Sequence, residues 1–269
     1  MSDYPIGKRY DGGTVIVQPE HAAAYAAATN DHSAAYTGPD AIAPPMFHVR
    51  LIKDTMFQVA GDPELGLDML RLVHGEHDAT FHRPLRPGDE VAVEGRLEAV
   101  TEKSSGLLVV SRHSGTVDGQ LAFEAKTAYF IRAKRKPSGS RPKRKPPEPP
   151  PTPEQSVSWS VDADQSHRYA EASLDRNGIH IDREVATNAG LPDVILHGLC
   201  SMAMAGVSLT DTVGGGDPGN LKRLSVRFSG MVFNGDTLTT HLWPSGTFAV
   251  TNEAGKPVIT GGVAEFSNV

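Results

Sequence analysis

The segment SLDRNGIHID, residues 173–182, brings Asp175, Asn177 and His180 together within one short turn. A carboxylate and an imidazole on either side of such a turn can share a water or hydroxyl, each placed to move a proton. Asn177 suits the turn itself, because its side chain can bond nearby backbone N–H groups. Further on, LPDVILHGLCSMA (191–203) puts His197-Gly198 where a loop enters an apolar helix. Gly198 permits close backbone approach by a ligand. The first N–H groups of a helix lack intrahelical partners and carry the positive end of its dipole. A carbonyl held there would gain an oxyanion hole, worth about 3–4 kcal/mol per donor at the transition state. Enolate formation next to a carbonyl needs both parts: a proton-transfer pair and a donor facing the oxygen. Taken alone, the first motif also reads as a helix-ending turn with a structural histidine. The second also reads as a tight loop with a capping histidine.

The elements that position these residues are written twice. YAAATND (25–31) and YAEASLD (169–175) match at an offset of 144 residues. FHRPLRPGDEV (81–91) and FSGMVFNGDTL (228–238) match at an offset of 147. Two landmarks in one order at nearly one offset indicate a duplicated fold. The first copy has Asp31 where the second has Asp175, but Tyr36 stands where the second has His180. His48 is followed by Val49 rather than by glycine. The first half is therefore expected to keep the fold and lack the reacting pair.

Each half reads as a helix (19–30; roughly 163–173), an irregular segment, a second apolar helix (roughly 46–60; 198–212), and then alternating strands. Helix 198–212 is apolar around most of its circumference and should be buried on several sides. Turns are expected at VDGQ (117–120) and NEAGK (252–256). A long antiparallel sheet wrapped around one buried helix accounts for this order in each half. The fold class is thus α+β, a double hotdog with two tandem units in one chain. The expected division is a degenerate, non-catalytic, acyl-chain-binding unit over 1–132, a linker over 133–156, and a catalytic unit over 157–269. The Ala- and Met-rich faces near 22–28 and 46–56 could line room for an acyl chain; plain core is the favoured reading.

Composition narrows the function classes. The chain has 269 residues and a net charge of −6, with seven basic residues and no acidic ones over 134–145. The remainder is therefore acidic, at −13, which argues against a nucleic-acid surface. The segment 133–156 is rich in proline and charge and should be an extended connector. Cys200 is the single cysteine, so neither an intrachain disulfide nor a paired zinc-cysteine motif is possible. With no signal-like N-terminus and no run long enough to cross a bilayer, a cytoplasmic protein is expected. His74 and His77 have the spacing of a weak ligand pair, but a strand setting points to surface residues. VGGGDPGN (213–220) lacks the ending of a phosphate loop and reads as a link from helix to sheet.

The stretch YAEASLDRNGIHIDREVATNAGLPDVILHGLCSMAMAG (169–206) resembles the signature of the MaoC-like (R)-specific enoyl-CoA hydratase and 3-hydroxyacyl-thioester dehydratase family. That signature runs S-G-D-x-N-P-L-H-x-D, then A-x-x-x-G-F, then P-I-L-H-G-L. APPMF (43–47) and LVHGEHDATFHRPLRPGDEV (72–91) give the first half a similar likeness. The resemblance implies a catalytic dyad of Asp175 and His180, with the Gly198 N–H as oxyanion donor and Asn177 and His197 in support. It implies reversible hydration of an (E)-2-enoyl thioester to an (R)-3-hydroxyacyl thioester. The carrier is coenzyme A or acyl carrier protein, with no metal or redox cofactor. The chain is expected to be its own pseudo-dimer, with a homodimer of chains as a further expectation, and with neither nucleic acid nor membrane as partner. A branched or dicarboxylic enoyl-CoA is an alternative substrate, and a non-catalytic acyl-thioester binding subunit an alternative role. Leu174 stands where the family has glycine and Gly178 where it has proline. A loosened turn, with lower efficiency, is expected from the second change.

Overall fold

The computed structural model describes residues 4–133 and 151–267. The basic residues of 134–145 fall outside the described residues, and with them most of the expected connector. Five strands belong to the first half: β1 (Arg9–Ile16), β2 (Leu72–Phe81), β3 (Glu90–Lys103), β4 (Gly106–Val117) and β5 (Gln120–Arg132). Five belong to the second: β6 (Gln155–Ser160), β7 (Leu221–Phe228), β8 (Thr237–Leu242), β9 (Thr247–Asn252) and β10 (Pro257–Phe266). Together they form one antiparallel sheet in the order β1-β3-β4-β5-β2-β7-β10-β9-β8-β6. The order reads as the same five-strand sequence taken outward from the centre in both directions.

The centre is the β2–β7 seam, where Asp78 pairs with Ser225. These two residues are themselves 147 positions apart, the offset of the strand repeat. Equivalent residues therefore meet on a pseudo-twofold axis, which identifies the architecture as a double hotdog. Arg223 crosses the same seam with a two-pronged ion pair to Asp78, both bonds at 2.9 Å. The turn at VDGQ is as expected, with Asp118 (φ 52°) and Gly119 (φ 75°) both in the left-handed region that a tight hairpin of this hand demands.

The described residues form the α-helices α1 (Pro19–Ala28), α2 (His48–Ala60), α3 (Gln165–Ser173), α4 (Arg183–Asn188) and α5 (Gly198–Thr212), of which α2 and α5 pack on the sheet. In α5, 11 of 15 residues are buried, so it is the central helix of the second half. Gly206 lets it approach β7, since a Cβ there would stand 3.0 Å from Leu224. Helices α1 and α3 meet at the pseudo-axis. The hydroxyls of Tyr25 and Tyr169, fully buried and 144 residues apart, bond each other at 3.0 Å. This pairing explains why both copies of the repeat keep tyrosine: each phenol is the buried partner of the other. Ala22, Ala28, Met46, Phe47, Val49 and Ile52 lie in the main core, in line with the packing reading of those faces.

Helix α2 is seated differently, through two polar relays as well as apolar contacts. Its His48 gives its Nδ1–H to the Pro45 carbonyl (3.0 Å) and accepts at Nε2 from His77 (3.1 Å). His77 in turn accepts at Nδ1 from Thr127 (3.2 Å). Because a carbonyl only accepts, this chain fixes every tautomer along it. In the second relay Thr55 donates to the Ile52 carbonyl (2.8 Å) and accepts from His113 Nδ1 (2.8 Å), whose Nε2 accepts from Ser111 (2.9 Å).

Two expectations are corrected. Strand β6 begins at Gln155, inside the expected linker. Glu154 N–H already bonds Leu242 (2.9 Å) and Trp243 reaches back to the Pro151 carbonyl (2.9 Å), so the second half starts before residue 157. His77 is fully buried rather than on the surface, and the Nε2 of His74 is shielded too. Strands β2 and β7 are the two innermost of the ten-stranded sheet, and His77 lies against His48 of α2. Among the described residues no helix is long and apolar enough to cross a membrane.

Candidate active site

The site grows out of the end of α3. That helix stops because Leu174 adopts a left-handed conformation (φ 64°), which turns the chain sharply into Asp175. The left-handed region costs a non-glycine residue about 1–2 kcal/mol, and it is where the family signature has glycine. Leu174 therefore makes the same turn under strain. Asp175 N–H is held by Ser173 Oγ (3.2 Å), which itself donates to the Tyr169 carbonyl (2.7 Å). Asp175 Oδ1 accepts from the Asn177 N–H (3.3 Å), and Asn177 Oδ1 caps the next turn by accepting from Ile179 N–H (3.4 Å). That turn is a short 3-10 helix, Gly178–His180.

Gly178 has a local explanation as well. A Cβ there would stand 2.7 Å from Cγ1 of Val185, on α4. The close approach of α4 leaves no room for a side chain in this backbone. Asp182 holds α4 in place by capping it, accepting from the N–H groups of Glu184 (2.8 Å) and Val185 (3.2 Å). The turn that lacks proline thus has α4 packed against it.

His180 closes the turn and gives its Nδ1–H to the Ile195 carbonyl (2.7 Å). That bond leaves Nε2 with a free lone pair. Burial pushes the imidazole below its ordinary value of 6.5, partly offset by the Ile195 carbonyl and the Asp175 charge. His180 is therefore neutral at pH 7, as a proton acceptor must be. His197 is buried and gives its Nε2–H to the Asp175 backbone carbonyl (2.9 Å), so it clamps the aspartate from the opposite loop. Its ring stacks on His180 with centroids 3.8 Å apart at 26°. Burial, then His180, holds its titration well below the ordinary range. Asp175, His180 and His197 each present a side-chain donor atom, all within 4.8 Å of one another. Those residue types could hold a cation.

Gly198 is the first residue of α5. The His197 carbonyl accepts from the N–H groups of Cys200 (3.1 Å) and Ser201 (3.2 Å), and the Gly198 N–H lies ahead of them at the helix entrance. A Cβ at this position would stand 3.1 Å from the Phe228 ring, so a larger residue would press on the opposite wall. The structure thus brings Asp175, Asn177, His180, His197 and Gly198 to one end of α5.

The first half repeats part of the Asp175 turn, although the Asp31 N–H bonds the Ala26 carbonyl (2.9 Å) where that of Asp175 bonds the Ser173 side chain. Asp31 Oδ1 accepts from Ser33 N–H (3.2 Å), Ser33 Oγ caps the 3-10 turn Ala34–Tyr36 through Ala35 N–H (3.3 Å), and Tyr36 ends it as His180 ends the other. The Tyr36 hydroxyl then donates to Asp31 Oδ2 at 2.5 Å, so the two polar groups satisfy each other. Burial raises the Asp31 carboxyl above its ordinary value.

Residues of the first half also come near Asp175, which the sequence did not reveal. Tyr129, on β5, has its hydroxyl titration raised by burial first and then by the charge of Asp175. His74 lies between Tyr129 and Phe228, with ring centroids 5.3 Å from each. Local spacing marks His74 only as half of a weak ligand pair and Tyr129 not at all, because they reach the site only through the β2–β7 seam.

Comparison with known proteins agrees with the duplicated fold. Residues 143–263 match the family model described as MaoC like domain, and residues 5–125 match FAS1-like, dehydratase domain region. The chain is 34% identical over 179 residues to 3-hydroxyacyl-thioester dehydratase Y of Mycobacterium tuberculosis, covering 64% of this chain and 61% of that protein. It is 30% identical over 219 residues to peroxisomal multifunctional enzyme type 2 of Drosophila melanogaster, covering 77% of this chain and 36% of that protein. The chain thus spans less than two thirds of the length of either relative. In fold it is similar to the crystal structure of a MaoC-like dehydratase from Phytophthora capsici, with a TM-score of 0.81 at 24% identity over 97% of this chain and 95% of that one.

Proposed function

The chain belongs to the MaoC-like dehydratase family, and from that premise we propose that it is a hydro-lyase acting on 2-enoyl thioesters. Water adds across the (E)-2 double bond to give the (R)-3-hydroxyacyl thioester, and the reverse reaction removes it. The observation that carries this reading is that Asp175 and His180 present side-chain donor atoms within 4.8 Å of each other and of His197, the residue just before Gly198 at the start of α5. Water held between the Asp175 carboxylate and His180 Nε2 attacks C3 as the dyad takes up its proton. The thioester carbonyl, polarised by the Gly198 N–H, accepts the developing charge as an enolate. The dyad returns a proton at C2, so one water is consumed and no net proton. The thioester itself acidifies C2, so this scheme calls for no metal or redox group.

The carrier is coenzyme A or acyl carrier protein, and the acyl group faces the wall of Tyr129 and His74 contributed by the first half. The first half takes no part in proton transfer, since Asp31 is closed off by Tyr36. A cytoplasmic setting and a homodimer of chains belong to the same proposal. The test is a panel of enoyl-CoA substrates of graded length and branching, followed by loss of the enoyl absorbance. Turnover of at least one member supports the reading. No turnover of any member on either carrier contradicts it and leaves an acyl-thioester binding role.

A further inference from the structure

We propose that Arg50, on α2 of the first half, is a positioning residue for Asp175 in the second. The inference rests on the reading of Asp175 as a catalytic group.

The last carbonyls of a helix have no intrahelical donors, and a cation placed there bonds them and complements the dipole. The end of α3 is such a place, and its cation comes from the other half of the molecule. Arg50 Nη1 donates to the Ala172 carbonyl at 2.8 Å and lies 3.5 Å from the Glu171 carbonyl. The chain from Ala172 to Asp175 has little slack. Ser173 is tied to Tyr169 and to Asp175 N–H, and Leu174 sits in the left-handed region. A strained residue keeps its conformation only where its surroundings over-determine it. The Arg50 bond is one of those constraints, applied three residues before the reacting carboxylate.

Arg50 is itself held firmly at its base. The two histidine relays engage α2 through His48 and Thr55, on either side of Arg50. The guanidinium is partly buried, and it faces the C-terminal end of α3 with the Arg176–Glu171 ion pair beside it. A continuous mechanical path therefore runs from the first-half sheet through α2 and Arg50 to the end of α3. It gives the half that lacks a dyad a part in the reaction of the half that has one.

The test compares wild type with Arg50→Met, which keeps the stem and removes the donors. Two readings are taken: hydration of crotonyl-CoA, and hydrogen exchange of peptides spanning 171–180 and 198–212. Misplacement of a reacting group by about an ångström lowers turnover by up to about a hundredfold. The expected result is a kcat loss of about tenfold or more, KM within about twofold, and faster exchange confined to 171–180. Arg50→Lys, which can still donate to the carbonyls, should recover most of the lost kcat. Wild-type kcat in Arg50→Met overturns the proposal. So does a loss accompanied by faster exchange throughout 198–212, since that marks general destabilisation. If Arg50→Met does not fold, Arg50→Gln is judged by the same two readings. If wild type turns over no enoyl-CoA, the hydratase reading fails, and exchange at 171–180 still decides whether Arg50 fixes the Asp175 segment.

Discussion

At the residue scale the two halves differ in what meets the aspartate. Asp31 and Asp175 occupy the same turn and accept the same kind of backbone bond. Tyr36 then locks the first, while His180 points its bond at the Ile195 carbonyl and leaves Nε2 and the Asp175 carboxylate for a substrate. Removing the hydroxyl with Tyr36→Phe should cost about 1–3 kcal/mol of stability, because a largely buried carboxylate loses its partner. The rate at saturating substrate should stay within about twofold. Denaturant unfolding and a kcat measurement on the same preparation check both halves of that statement. His180 makes a second prediction. A base works only when neutral, and burial lowers the pKa of His180 below 6.5. Activity should therefore hold as pH falls through 6.5 and be lost only below it, as Nε2 takes up a proton. A kcat/KM profile whose acid limb has its midpoint above 6.5 would contradict His180 as the base.

At the element scale, close packing explains a departure from the family signature that the sequence left as a weakness. Proline at the first position of a helical turn is normally favourable. In this chain Val185 stands 2.7 Å from where a Cβ on Gly178 would sit, so Gly178→Pro should lower both stability and turnover. Adding Val185→Ala should restore much of the loss, which a double-mutant cycle measures as a coupling of about 1 kcal/mol or more. Independent effects would show that the contact does not set the residue type. The same contact marks the limit of what could be read in advance. Helix α5 was legible, because Gly198 opens it and mostly apolar residues fill it as far as Leu209. The burial of His77 was not legible, because it depends on β7, a strand whose partner residues lie far along the chain. The proximity of Asp175 and His180 was legible because they are close in sequence. That of Arg50, Tyr129 and His74 to this segment was not, because the β2–β7 seam and the contact of α2 with α3 bring them there.

At the scale of the whole molecule, one sheet and one pseudo-axis make the halves a single unit. The axis passes between Asp78 and Ser225 and near the Tyr25–Tyr169 pair. Buried neutral histidines give the unit a built-in acid limit. Burial lowers His48 and His74 to about 4 and His113 to about 3, all from 6.5. Between those values the unfolded chain binds more protons than the folded one, so stability falls as pH falls. The contribution is full above 6.5 and is lost progressively down to the folded values. For His48 alone the loss is on the order of 3 kcal/mol near pH 4. Thermal unfolding followed from pH 7.5 to 4 should show a melting temperature that declines from about pH 6.5 downward, and a flat profile would contradict the relays as drawn. The central claim, that one half of a duplicated fold does the chemistry, is tested most directly by a single paired measurement. Asp175→Asn and Asp31→Asn make the same change at equivalent positions, and both are assayed at a saturating enoyl-CoA. The account predicts that Asp175→Asn loses a hundredfold or more, on the order expected for a positioned acid–base group, while Asp31→Asn stays within about twofold of wild type. Equal losses in the two variants, or near-normal turnover in folded Asp175→Asn, would contradict it.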